Sequence, residues 1–139
     1  MAERPRATAT GPGRVLIAVY AVFALSATAR AGVQIATRFG EAPLPYLLSA
    51  LAAVVYVLAT VGLAGTGPGA RRLAWAAVVF ELVGVLAVGT LTAADAVAFP
   101  ADTVWSRFGA GYGYVPLVLP FLGLWWLRRT APVRAGGVG

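Results

Sequence analysis

The chain has 139 residues, of which 60% are hydrophobic and only 12% are charged, whereas soluble domains average roughly 25% charged residues. Its formal net charge of +6 comes from eleven arginines and no lysine, set against five acids. The sequence contains neither Cys nor His. This composition excludes disulfides, thiol or imidazole catalysis and the commonest metal ligands, so we expect no metal site and no catalytic residue.

Four apolar runs follow one another along the chain, at residues 15–37, 44–64, 73–92 and 112–127. A membrane-spanning helix needs about 20 mostly apolar residues, and a soluble helix would show a polar face with a period of 3.6 residues. The run at 44–64 contains no charge at all. The sequence therefore predicts an all-α fold, a transmembrane four-helix bundle that occupies residues 14–129.

The two ends of the chain differ from the runs in composition. Residues 1–13 and 130–139 are rich in Pro, Gly, Arg and Thr, which predicts disordered tails. The N-terminal arginines, the first apolar run and Ala29-Arg30-Ala31 also fit a signal peptide with its cleavage site. Because apolar character resumes at residues 32–36, we favour an uncleaved first span.

Arginine placement predicts the topology. With four spans, one side of the membrane receives eight arginines and Glu3, namely Arg4, Arg6, Arg14, Arg71, Arg72, Arg128, Arg129 and Arg134. The other side receives Arg38 and Arg107 together with Glu41, Asp95 and Asp102. Cytoplasmic loops are enriched in Lys and Arg. We therefore expect both termini in the cytoplasm and the protein in a bacterial plasma membrane.

The four tryptophans lie near the ends of the predicted spans. Trp75, Trp125 and Trp126 fall at the cytoplasmic ends, and Trp105 lies in the loop on the other side. Trp and Tyr are enriched at membrane–water interfaces. We expect these residues to act as interface anchors.

Two charged residues, Glu81 and Arg30, fall inside spans, where a charge costs about 2.5–3.5 kcal/mol on insertion scales. Glu81 lies about 13 Å into the third span and Arg30 about 24 Å into the first, so a direct pair between them is left open. Glu81 is a proton or cation relay, a neutral carboxyl bonded to a neighbour such as Tyr56 or Thr60, or a contact with another membrane protein. Arg30 either extends to the outer surface or binds backbone carbonyls.

Polar and small residues form lines along three of the predicted helices. The first helix carries Ser26, Arg30 and Gln34 at intervals of four residues, the second carries Ser49, Tyr56 and Thr60, and the third carries Glu81, Gly84 and Thr92. Small residues permit close helix packing, and polar side chains bond across helices. The predicted polar lining consists of Ser26, Gln34, Tyr56, Thr60 and Thr92.

The fourth span differs from the others in its glycines and prolines. Glycines crowd residues 109–113, and Pro116 and Pro120 follow, which predicts a helix kinked at these prolines. One hypothesis is the broken helix of a transporter site. The other, which we favour, is a loop that folds back at the interface before a short, bent helix.

The segments GRVLIAVYAVFALSATARAGVQ and FGAGYGYVPLVLPFLGLWW, with arginine as the sole basic residue, resemble small four-span integral membrane proteins of high-GC actinobacteria. This resemblance implies a fold and a location but no activity. Small multidrug transporters also have four spans and one membrane carboxylate. They carry their glutamate in the first span, whereas Glu81 lies in the third, so their function is not transferred.

Three functional hypotheses follow. The first is a non-enzymatic accessory or assembly subunit, or a homo-oligomer. The second is a small transporter or proton-coupled carrier that uses Glu81, Arg30 and Tyr56 around a broken fourth helix. The third is an outer-face lipid-modifying enzyme that uses Asp95, Asp102 and Arg107. No phosphate-binding loop, dinucleotide fingerprint or hydrolase motif is present, so we expect no cofactor. The expected partners are the lipid bilayer with its anionic head groups and another membrane protein or copy, and no nucleic acid.

Overall fold

The computed structural model describes residues 11–94 and 105–130, and these residues form helices and turns without a strand. Four α-helices follow in chain order: α1 (Pro12–Arg38), α2 (Pro43–Ala64), α3 (Gly67–Ala94) and α4 (Val115–Arg129). Among the described connections, Phe39–Glu41 and Ser106–Tyr112 form 3₁₀ helices. The predicted all-α fold with four helices is confirmed. The predicted tails lie outside the described residues, except for residues 11–13 and Thr130. Asp95 and Asp102 also lie outside them.

Three of the helices are long and apolar enough to cross a membrane: Pro12–Glu41 (α1 with its 3₁₀ extension), Pro43–Ala64 and Gly67–Ala94. α4 has 15 residues, a length of about 22 Å, and a hydrocarbon core is about 30 Å thick. Its first turn contains Pro116, where a proline costs no hydrogen bond, whereas Pro120 lies inside the helix. The run predicted at 112–127 is thus helical from Val115 onward, and the kink stays a prediction.

The connection between α2 and α3 is shorter than its Gly/Pro composition suggests. The stretch at residues 65–72 reads as a turn, but α3 already begins at Gly67. Gly67 has a φ of +88°, which glycine adopts readily, and Pro68 falls in the first helical turn, where proline is tolerated. Arg71 and Arg72 therefore lie on a helix rather than in a loop.

Helices adjacent in sequence pack against each other, α1 with α2, α2 with α3 and α3 with α4, whereas α1 and α4 barely touch. α2 and α3 cross closely at Gly62, where an added Cβ would lie 2.6 Å from the backbone nitrogen of Ala74. The core between the helices is built largely from small and aromatic side chains, among them Tyr20, Ala24, Ala52, Tyr56, Ala59, Ala74, Val78 and Trp105. The bundle is consequently closed on three sides and open along the seam between α1 and α4.

One end of the bundle collects most of the described arginines. The Arg71 guanidinium donates a hydrogen bond to the Leu127 carbonyl oxygen and lies 3.4 Å from Thr130 Oγ1, so the start of α3 meets the end of α4. A cation at this position also complements the negative end of the α4 dipole. We call this end the basic end. It carries Arg14, Arg71, Arg72, Arg128 and Arg129.

The tryptophans divide into two groups. Trp125 is 50% exposed and Trp75 is partly buried, which suits an anchor at the basic end. Trp126 and Trp105 are 6% and 1% exposed. The prediction of an outer interface anchor does not describe Trp105, because its ring lies inside the bundle.

Candidate functional site

The centre of the bundle holds a buried carboxyl group. Glu81 lies in the middle of α3 and is completely inaccessible to solvent. The Tyr20 hydroxyl of α1 donates a hydrogen bond to Glu81 Oε1 across 2.5 Å. The structure thus pairs the intramembrane carboxyl with a neutral phenol on a neighbouring helix.

The second carboxyl oxygen of this residue has a different environment. Glu81 Oε2 is buried and accepts no hydrogen bond. A buried acceptor without a partner costs about 1–3 kcal/mol, so such a group asks for an explanation. One carboxyl oxygen of Glu81 therefore accepts a hydrogen bond within the fold, and the other does not.

Aromatic rings from three parts of the chain form a connected series that begins at Tyr20, the partner of the carboxyl. The centroids of the Tyr20 and Tyr56 rings are 6.2 Å apart, and those of Tyr56 and Trp105 are 6.4 Å apart. Trp105 Nε1 donates to the Tyr56 hydroxyl across 3.0 Å. This arrangement differs from the predicted bond between Glu81 and Tyr56 or Thr60, because the Thr60 hydroxyl instead donates to the Tyr56 carbonyl of its own helix.

Residues 105–112, which we call the return segment, cover one side of the site. An added Cβ on Gly84 would lie 2.6 Å from Trp105 Cζ3, and one on Gly89 would overlap the Phe108 ring. The Arg107 backbone nitrogen donates to Thr92 Oγ1 across 2.7 Å. The line of polar and small residues on α3 is thus the surface on which the return segment packs.

Arg30 lies away from the carboxyl. Its guanidinium donates to the Tyr112 hydroxyl, and it does not pair with Glu81. The physical reason is depth, because ten residues of α1 separate Arg30 from Tyr20, or about 15 Å along the helix. The two intramembrane charges therefore belong to different sites.

A second, smaller site lies beside Arg30. A cavity of about 20 Å³ is lined by Phe23, Ser26, Ala27, Arg30, Ser49 and Tyr112, enough for one water molecule. Ser49 Oγ is buried without a hydrogen-bond partner. Ser26 thus lines the Arg30 cavity rather than the carboxyl site.

The remaining predicted lining residues also separate. Gln34 lies one turn beyond Arg30 and has a buried Oε1 without a partner. Thr92 bonds within α3 and to the return segment. Of the predicted lining, Tyr56 adjoins the carboxyl site, through its ring contact with Tyr20. Pro116 and Pro120 are buried on α4, and Arg107 is the one member of the third hypothesis that the structure describes.

Sequence reasoning missed Tyr20, the direct partner of the carboxyl. A usable signal was present, because Tyr20 lies six residues after Arg14 and Glu81 lies nine residues after Arg72. These positions correspond to about 9 Å and 13 Å from the basic end. Depth alone would have indicated Tyr20 rather than Arg30.

No protein-family model, no curated protein and no solved structure matches the chain. The assignment of the two sites therefore rests on the geometry described above.

Proposed function

We propose that this chain is a non-enzymatic integral membrane protein of a bacterial plasma membrane, with both termini in the cytoplasm. It serves as an accessory or assembly subunit, bound to a larger membrane protein or to copies of itself. The observation that carries this proposal is that polar groups of the bundle form hydrogen bonds with one another. Tyr20 bonds Glu81, Trp105 bonds Tyr56, and Thr92 binds the return segment.

Internal bonding of this kind favours a structural role over a carrier or an enzyme. Groups that handle a substrate line a cavity with convergent polar atoms, whereas Glu81 is not among the residues that line the cavities at Arg30, at the α1–α4 seam or on the outer faces of α3 and α4. Within residues 11–94 and 105–130, no group of three acids forms a metal site. The outward surface is mainly Val, Leu and Phe, suited to lipid and to other transmembrane helices.

Site-specific photocrosslinking in cells tests this proposal. A photoreactive phenylalanine analogue is placed at one outward position on each helix: Val22, Val54, Val83 and Phe121, which are 61%, 54%, 61% and 51% exposed. An assembly subunit gives one protein adduct of defined mass from one or two adjacent faces and none from the others. Lipid adducts alone, or equal protein adducts from all four faces, would contradict the proposal.

One observation favours a second candidate, a proton-linked carrier. Glu81 Oε2 accepts no hydrogen bond, and an intramembrane carboxyl is a common element of proton relays. In proteoliposomes, the carrier hypothesis expects proton flux from the wild-type chain, lost in Glu81→Gln and retained in Arg30→Ala. The accessory role expects no flux above that of empty vesicles from any of the three proteins.

A further inference from the structure

The open seam between α1 and α4 forms an apolar groove of about 500 Å³, within the usual range of ligand sites. Its floor is buried, since Leu16 and Leu119 are 8% and 2% exposed, and its rims are open, since Val15 and Leu122 are 66% and 46% exposed. All the side chains that line it are apolar. This concave surface is suited to a hydrocarbon chain.

A hollow with two arginines adjoins the groove at Trp125. Trp125 lines the groove and also a neighbouring hollow, together with Phe121, Leu124, Arg128 and Arg129. The Arg129 guanidinium lies 5.8 Å from the centroid of the Trp125 ring, a cation–π distance. Two arginines thus line a hollow that shares the Trp125 side chain with the apolar groove.

We propose that the α1–α4 groove binds one anionic phospholipid from the leaflet at the basic end. One acyl chain lies along Leu16 and Leu119, and the phosphate is held by Arg128 and Arg129. Arginine matches phosphate through paired hydrogen bonds, and tryptophan occupies the head-group level of a bilayer. The charge of the hollow and the apolar lining of the groove together match one molecule with a negative head and a hydrocarbon tail.

A transmembrane helix fits this groove less well than an acyl chain. Helices pack closely in membranes where small residues line the contact, whereas Val15, Val118, Leu122 and Trp125 form the rims here. An acyl chain is narrower than a helix, whose diameter is about 10 Å, and it adapts to branched side chains. A helix of a second copy or of another protein is therefore the alternative that the experiment must separate.

The head-group contact is tested by native mass spectrometry of the full chain with a titrated mixture of phosphatidylglycerol and phosphatidylcholine. The wild-type chain retains one phosphatidylglycerol in preference to phosphatidylcholine. Arg129→Gln weakens this binding about fivefold. Arg72→Gln removes the same charge from the same end but outside the groove, and it leaves binding within about twofold of the wild type.

The acyl contact is tested by filling the groove. Val118→Phe and Leu122→Phe each lower retention of both lipids, whereas Val83→Phe on the outer face of α3, where the native side chain is 61% exposed, does not. Circular dichroism selects the variants that fold. Soluble glycerol phosphate does not displace the lipid, because it lacks the chain that fills the groove.

Three results would overturn the proposal. The first is an equal loss of lipid in Arg129→Gln and Arg72→Gln, which would indicate general attraction to the membrane surface. The second is unchanged retention in both groove-filling variants. The third is a dimer that dissociates when the groove is filled, which would assign the groove to a second copy.

Discussion

At the scale of single residues, the central finding is that Glu81 is paired with a phenol rather than with a cation. A buried ion pair leaves a buried charge whenever one partner is absent. The Tyr20 hydroxyl can donate to the carboxyl whether or not the carboxyl carries a proton. The Tyr20–Glu81 pair therefore joins α1 to α3 without requiring a second charge in the hydrocarbon.

Tyr20→Phe removes this donor and leaves both oxygens of Glu81 buried without a partner. We expect the free energy of unfolding to fall by about 1–3 kcal/mol, measured by equilibrium unfolding in mixed detergent micelles. Tyr114→Phe, at a tyrosine that is 52% exposed, is the matched control and should change stability by less than about 0.5 kcal/mol.

The double variant Tyr20→Phe/Glu81→Leu removes both partners and should recover most of the stability lost in Tyr20→Phe. Replacing both members of a buried pair by apolar groups of similar shape is nearly neutral. If Tyr20→Phe alone unfolds like the wild type, the hydrogen bond does not stabilise the bundle.

The sequence indicated Glu81 and Arg30 as charged residues inside spans whose presence required an explanation, and the structure places them in two distinct sites. It could not assign partners, because the polar lines fix only which residues share a face of one helix. The rotation of each helix about its axis depends on packing among small residues such as Ala24, Ala52 and Ala59, which appear throughout the chain.

At the scale of elements, the return segment takes its place through two glycines of α3. Trp105 packs on Gly84 and Phe108 packs on Gly89. Arg107 and Phe108 have φ angles of +51° and +60°, a conformation that costs most residues energy. The ring contacts with α3 offset that cost.

Gly84→Ala places a methyl group 2.6 Å from the Trp105 ring, so the return segment must move. We expect a loss of about 1–3 kcal/mol in unfolding free energy, as for other overpacked sites. Gly32→Ala on α1 is the matched control, since its Cβ meets nothing within 4 Å, and it should stabilise the protein by up to about 1 kcal/mol.

The readout is unfolding in micelles together with the fluorescence of a variant that retains Trp105 as its single tryptophan. Gly84→Ala should shift this emission to longer wavelength as the ring loses its buried position. An unshifted emission and an unchanged stability would show that the return segment does not depend on the Gly84 contact.

The composition of residues 109–113 indicated irregular backbone, and the structure contains it. The sequence did not predict that the return segment packs on α3, because glycines within a helix such as Gly84 and Gly89 do not by themselves indicate what packs on them. The early start of α3 was missed for a related reason: the Gly/Pro stretch at 65–72 has the composition of a turn, yet Pro68 falls where a helix accepts proline.

At the scale of the whole molecule, the bundle separates its charges by end. The described arginines at the basic end come from the starts of α1 and α3 and the end of α4, whereas the α1–α2 connection with Arg38 and Glu41 lies at the other end. The positive-inside rule then predicts that the basic end faces the cytoplasm.

Single cysteines introduced at Gly40 and Gly69 test the orientation, because the chain contains no cysteine and neither glycine has a neighbour within 4 Å of a Cβ. A membrane-impermeant maleimide should label Gly40→Cys in intact cells lacking an outer membrane barrier. It should label Gly69→Cys only after permeabilisation. The reverse pattern would invert the topology, and labelling of both in intact cells would exclude the four-span arrangement.

The length of α4 has a consequence for the surrounding membrane. α1 and α3 extend about 40 Å, whereas α4 extends about 22 Å. A hydrocarbon core of about 30 Å is thicker than α4 is long, so we expect the bilayer to thin on that flank, at a cost of a fraction of a kcal/mol per ångström of mismatch. We therefore expect an uneven bilayer thickness around the perimeter of the bundle, with proteins that have short spans gathering preferentially beside α4.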